Sequence, residues 1–351
     1  LFEEVSMRLI QVFVLHLFAL SVFAAAGDTV LIRNFAEKYQ APCDGGAIEV
    51  KVNTEDTDFT YYYVSRDCPH DKKHNFGMPV VYLPGEKTLF VGEYFNLKRL
   101  KEEADNPRAV EAFIGEFLGG KATLTFVKNG KGYRVYDMKV ETGFGAVHHE
   151  MYRFKDFHVI LGKAYGDTED PRETRVREFP WGTLPSIGDP SAPHKLAVFL
   201  DLECPMCARV EKDLLEALKT HPEITASFVQ FPLVSIHPWA FRGACGAMCF
   251  FSADPSFYFD FLTDMYAQRD TLDLDTIDYA VFGFADQREL RPHLLDCYLK
   301  TDNIRSVLNQ LQLALTLGVR FTPGLYLDGT LYVPSDLLAL LKERKSLSSE
   351  K

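Results

Sequence analysis

Basic residues are in the minority in this chain. Its 38 Lys and Arg stand against 49 Asp and Glu, a net charge of −11. That deficit counts against broad binding to nucleic acid or anionic membranes and leaves room only for a local basic patch. Seven cysteines in 351 residues are too few for a scaffold built from disulfides. There is no internal repeat, and only one long apolar run, at the start. The remainder is ordinary for a globular protein, with 47% hydrophobic and 25% charged residues. The length fits two domains, each able to bury a core without staples.

The apolar run has the grammar of an export signal. Met7-Arg8 supplies a start and a positive charge, Leu9 to Phe23 an apolar stretch, and Ala24-Ala25-Ala26 small residues for cleavage. Residues 1–26 are therefore expected to be a signal peptide cut after Ala26, with Met7 as the true start. The alternative is an uncleaved anchor, for which the run is at the short limit. Export would place the cysteines in an oxidising compartment, periplasmic or extracellular.

The exported chain divides in two. Residues 27–165 read as a smaller, mostly β (α+β) domain, with strand patterns at 47–53, 59–65, 79–83 and 88–92. Asn129-Gly130 marks a hairpin between 122–128 and 132–138. A helical stretch over 97–118 should break at Pro107. This domain carries no catalytic constellation. Residues 166–193, with five prolines and many charges, read as a linker that docks in part through Trp181. Residues 194–345 alternate: strands at 195–201 and 224–231, a helix at 205–221, helical stretches over 238–317, then a hairpin at 324–333 and a last helix. That order is an α/β layer architecture. Residues 346–351 form a tail.

The chemistry lies in Cys204-Pro205-Met206-Cys207, between a buried strand and an amphipathic helix. A cysteine at a helix N-terminus meets unpaired N–H groups and the positive end of the helix dipole, which favour its thiolate. Pro205 suits the first helical position because no N–H is needed there. Cys207, one turn on, can close a ring with Cys204, so the pair can exchange with a partner's disulfide through a mixed disulfide. Cys204 is expected exposed, as nucleophile, and Cys207 buried. A structural disulfide, or zinc held by Cys204, Cys207, Cys245 and Cys249, are the alternatives, and Met206 keeps Cu(I) handling in view.

Three blocks carry a resemblance. IGDPSAPHKLAVFLDLECPMC resembles the strand and active site of secreted DsbA-like thioredoxin-fold proteins, the superfamily of DsbA, DsbC and DsbG. FPLVSIHPWAFRGACGAMC is similar to their second strand and the start of their helical insert, and GVRFTPGLYLDG to their Thr-Pro loop. The resemblance covers the second domain only. It implies a C-terminal thioredoxin fold with a helical insert. It also implies a cis peptide at Thr322-Pro323 beside the active site, where Thr322 would offer its backbone to a substrate strand. Asp201, three residues before Cys204, would buffer the proton of Cys207, or else lie at a strand end in water. Val198 departs from the pattern, since thioredoxin and DsbA carry a buried acid there, so their proton scheme does not transfer directly. Glu203 is expected in solvent and His237 to fix a loop. Related proteins imply a bridge between Cys249 and Cys297, leaving Cys245 as a buried thiol or an exchange partner.

In the first domain, Cys43 and Cys68 read as a structural disulfide, with a loose metal site including His70 and His74 as the alternative. His148-His149 rarely suffices for a metal. The expected function is an exported thiol–disulfide oxidoreductase that forms, reduces or isomerises disulfides, with no cofactor or metal. Its partners would be exported cysteine-containing clients and a membrane redox protein, with no nucleic acid. The N-terminal domain would serve dimerisation or partner binding. The alternatives are a redox-inactive binding or chaperone module and a copper-handling protein.

Overall fold

The computed structural model describes residues 28–343, apart from 41–45, 57, 68–75, 119 and 156. The expected signal segment, the tail from 344 onward, and Cys43, Cys68, His70 and His74 lie outside the described residues. Among the described residues no helix is long and apolar enough to cross a membrane.

The chain opens with α1 (28–39). Four antiparallel strands follow: β1 (Ala47–Glu55), β2 (Thr60–Asp67), β3 (Phe76–Leu83) and β4 (Thr88–Asn96). Pro84–Glu86 turns β3 into β4. The expected break at Pro107 is present: a 3-10 segment, Leu97–Asp105, precedes α2 (Pro107–Leu118). Four further strands come next: β5 (Lys121–Asn129), β6 (Tyr133–Thr142), β7 (Gly145–Phe154) and β8 (His158–Gly166). The two sets join into one eight-stranded sheet, order β1-β2-β3-β4-β8-β7-β6-β5. At the join Gly92 faces Gly162. A Cβ on either would sit 2.0 Å from a backbone oxygen of the neighbouring strand, so only glycine allows this approach.

Residues 166–193, expected as a linker, hold α3 (Pro171–Glu178) and β9 (Ser186–Ile187). Asp170 caps α3 by accepting from Arg172 N. Arg175 is buried, its guanidinium 3.8 Å over the Tyr39 ring and 4.7 Å over Tyr326. It donates to the backbone oxygens of Tyr39 and Gly329 at 3.0 and 2.9 Å. Charge at this point therefore clamps α1 to the C-terminal part, where the sequence pattern implied solvent. Trp181 lies against Phe179 and donates to Val176 O.

The second sheet has order β13-β12-β10-β11-β9. Its strands include β10 (His194–Leu200) and β11 (Ile224–Gln230), which are parallel, with α4 (Pro205–Leu218) as the crossover. The insert consists of α5 (Ala240–Ala253), α6 (Pro255–Gln268), α7 (Ile277–Asp286), α8 (Arg291–Cys297) and α9 (Thr301–Thr316). Gly318, at φ 76°, lies just past the end of α9, as expected of a helix stop. The hairpin β12 (Gly324–Leu327) and β13 (Thr330–Tyr332) and then α10 (Pro334–Glu343) complete the fold. This is the expected thioredoxin fold with a helical insert, behind a sheet-rich N-terminal part.

The alternation along β10 sorts its side chains between two cores. Leu196, Val198 and Leu200 join α4 and the insert in one cluster. Ala197 and Phe199 join a second cluster that runs into the eight-stranded sheet through Met151 and Leu161 and takes in Ile114 of α2. The two parts thus share a core. Their seam also carries Phe144 stacked on Phe241 at 4.0 Å.

Candidate active site

β10 ends at Leu200, and Asp201-Leu202-Glu203 turns the chain into α4. Cys204 is the N-cap of that helix, with extended backbone (φ −71°, ψ 122°), and Pro205 takes the first helical position. Cys204 N donates to Asp201 O at 3.1 Å, which fixes the turn. The Thr322–Pro323 peptide is cis, and Thr322 O lies 3.4 Å from Cys204 Sγ. The expected exposed nucleophile is instead only 6% exposed. The Thr322 loop, 118 residues away in sequence, covers it. Cys207 is fully buried. Both thiols are free.

Their acidities diverge. A hydrogen bond from Cys207 pulls the Cys204 thiol down to about 5, with further ones from Thr322 and the N–H groups of Cys207 and Met206, against the opposing effect of burial. Burial pushes Cys207 up, and the neighbouring Cys204 adds to it. One sulfur is a thiolate at neutral pH and the other holds its proton.

Asp201 is not in water. Its buried carboxylate accepts from Glu203 N through Oδ1, and from Leu233 N and His237 Nδ1 through Oδ2, each at 2.8 Å. Two of these three donors, Leu233 N and His237 Nδ1, hold it on the loop after β11. Glu203 is not solvated either: its Oε2 accepts from Trp239 N and Ala240 N at 2.8 and 3.1 Å and caps α5. Burial raises its pKa. Tyr266 OH, also buried, donates to Asp201 O at 3.4 Å. Sequence reasoning missed the Glu203 cap and Tyr266. The spacing of Glu203 to Trp239 holds no local signal for the first.

Cys249 and Cys297 form a disulfide between α5 and α8. Cys245, one turn before Cys249, is a buried free thiol pushed up to about 12 by burial. With Cys249 bonded, the four-cysteine zinc set is not assembled. His148 Nδ1 pairs with Asp137 at 2.8 Å. Among the described residues no three His, Cys, Asp or Glu side chains gather as a metal site.

The family model described as Thioredoxin matches residues 182–343. That match takes in the five-stranded sheet and its helical insert, a little under half of the chain. Solved structures similar to this chain include the thiol-disulfide exchange protein α-DsbA2 of Wolbachia pipientis, at 20% identity over 49% of this chain and 95% of that one, TM-score 0.41. ScsC of Proteus mirabilis in a transitional conformation is similar at 19% identity over 46% of this chain and 72% of that one, TM-score 0.39. The ScsC catalytic domain is similar at 18% identity over 50% and 98%, TM-score 0.41. Among curated proteins none matches.

Proposed function

We propose that the protein is an exported thiol–disulfide oxidoreductase acting on cysteine-containing client proteins through Cys204 and Cys207. The observation that carries this reading is the split acidity of the pair at the N-terminus of α4: Cys204 drawn down to about 5, Cys207 buried with its proton. In the reducing direction the Cys204 thiolate attacks a client disulfide. A Cys204–client bond forms, the client S–S bond breaks, and one client thiolate leaves. Cys207 then gives up its proton and attacks Cys204 sulfur, closing the ring and releasing the second client thiolate, which takes up a proton. The oxidising direction is the reverse. Thr322, beside its cis-proline, lines the position where a client strand would pair.

The reading includes export by the Met7–Ala26 segment, a membrane redox partner that resets the pair, and a partner-binding or dimerising role for the N-terminal sheet. The deciding measurement is the reduction potential of Cys204–Cys207, by equilibration with glutathione and differential alkylation read by mass spectrometry. A value near about −120 mV supports a disulfide donor, and one near about −270 mV a reductant or an isomerase kept reduced. A pair that never exchanges with glutathione ends the reading.

A further inference from the structure

The Cys204 turn holds a charged pair that the exchange scheme above does not use. His237 Nδ1 donates to Asp201 Oδ2 at 2.8 Å, and the Asp201 side chain is fully buried while His237 is 14% exposed. The same Asp201 accepts the Cys204 N–H through its backbone oxygen. One residue therefore ties the imidazole to the turn that carries the nucleophile. Leu233 N, bonded to the same carboxylate oxygen, fixes the loop from the other side. His237 Nε2 makes no hydrogen bond to the described residues, so the ring is anchored by one nitrogen only. The charged and titratable groups acting on His237 are Asp201, Glu203 and Cys204. Glu203 is spent on the N-terminus of α5 and Asp201 on three N–H donors. Cys204 is the one of the three whose charge changes during exchange.

We propose that His237, oriented by Asp201, is a positioning residue of the dithiol, whose imidazolium stabilises the Cys204 thiolate as attacking and as leaving group. This rests on the oxidoreductase reading for its functional meaning, but not for its test. The Asp201 bond is the main reason His237 holds its proton above its ordinary 6.5, and Cys204 and Glu203 add to it. By reciprocity, whatever the thiolate does for the imidazolium, the imidazolium does for the thiolate. The ion pair then exists in a bounded window. Cys204 protonates near pH 5 at its lower edge, and His237 deprotonates above 6.5 at its upper edge. No proton is transferred between the two; the effect is electrostatic.

Two readouts on the full protein test this. The first follows the His237 ring by NMR against pH in the wild type, once reduced and once with Cys204–Cys207 oxidised. The imidazole should titrate higher in the reduced state, because only there does Cys204 carry a charge to act on it. An equal value in both states overturns the proposal. The second follows thiolate absorbance of the reduced protein against pH in His237→Asn, which keeps a donor for Asp201 but no charge. The Cys204 midpoint should rise by about 0.3 to 1 unit, and His237→Arg should restore part of it. A full unit would be tenfold in the dithiol equilibrium, about 30 mV toward a weaker oxidant. A midpoint unmoved in His237→Asn overturns the proposal, and if that variant does not fold the wild-type NMR titration decides alone. Neither readout needs a client or glutathione. Failure of the exchange reading, a pair inert to glutathione, is therefore told apart from failure of this one.

Discussion

The two sheets of this protein arrange their buried polar groups differently. In the eight-stranded sheet the buried material is mostly apolar and aromatic, such as Phe90 and Phe154 packed edge to face with Phe59 tilted against Phe154, and its buried charges, Arg66 and Arg153, lie apart on β2 and β7. In the five-stranded sheet, polar groups are concentrated at one end of β10. There Asp201, Cys204, Cys207 and Tyr266 are buried with partners that come from four separate stretches of chain. A buried polar network costs free energy unless every member is satisfied. Its place around the dithiol sets it apart from the other buried polar bonds of that sheet, such as those of Gln230 on β11 to Gln310 and Tyr258. The eight-stranded sheet contributes the second wall of the core beneath it.

The sharpest break of this comparison is at the dithiol. Cys204→Ser should abolish exchange with glutathione or a model client. Cys207→Ala should keep the first attack and accumulate a mixed disulfide, seen as a band removed by reductant on a non-reducing gel. Turnover surviving in Cys204→Ser would move the chemistry elsewhere. Next in size is the pH response. The native Cys204 titrates near 5 against 9.0 for a free thiol. Between these values the unfolded reduced chain holds a proton that the native one has lost. Stability of the reduced form should therefore rise with pH from about 5 to about 9, and be lost as pH falls through 5, while the oxidised form lacks this slope. Denaturant midpoints of the two forms across that range measure it, and parallel curves would refute the split acidity.

A third test addresses the clamp between the two parts. Arg175→Met keeps bulk but removes two hydrogen bonds from a charged group and contact with two rings. A loss of about 3 kcal/mol is expected. The glutathione equilibrium of Cys204–Cys207 should stay unchanged, because Arg175 lies at α1 and β12, away from α4. A shifted equilibrium would show that the clamp reaches the site.

These contrasts also explain what was readable in advance. The Cys-Pro-Met-Cys junction was legible because every cue is local: a buried strand, a cap, a proline at the first helical position. The hairpin at Asn129-Gly130 and the helix stop at Gly318 were legible for the same reason. The burial of Cys204 was not, since the loop that covers it is 118 residues away. Nor was the Asp201–His237 bond, across 36 residues. Arg175 misled because a charged, proline-rich stretch reads as solvated linker until its aromatic partners, Tyr39 and Tyr326, are in place. The β4–β8 pairing that fuses two four-stranded meanders is non-local in the same way, and only the facing glycines hint at it.

The smallest expected effect sits on the seam itself. β7 pairs with β8 only from Met151 to Phe154, so the backbone of its first half has no strand on that side. The side-chain amide of Gln312, on α9, takes the strand's place: its Nε2 donates to His148 O and its Oε1 accepts from His148 N, both at 2.8 Å. Gln312→Glu would keep the acceptor and lose the donor, whereas Gln312→Leu loses both. Because His148 is exposed, water can replace the lost partners in part, so Gln312→Leu should cost no more than about 1 kcal/mol in a thermal or denaturant melt. Amide hydrogen exchange at His148 should nonetheless speed up, while the amides of Met151 to Phe154, held by β8, stay protected. If both segments lose protection together, the amide is not a local patch but part of what holds the two sheets as one unit, and the division drawn between framework and site would have to include α9.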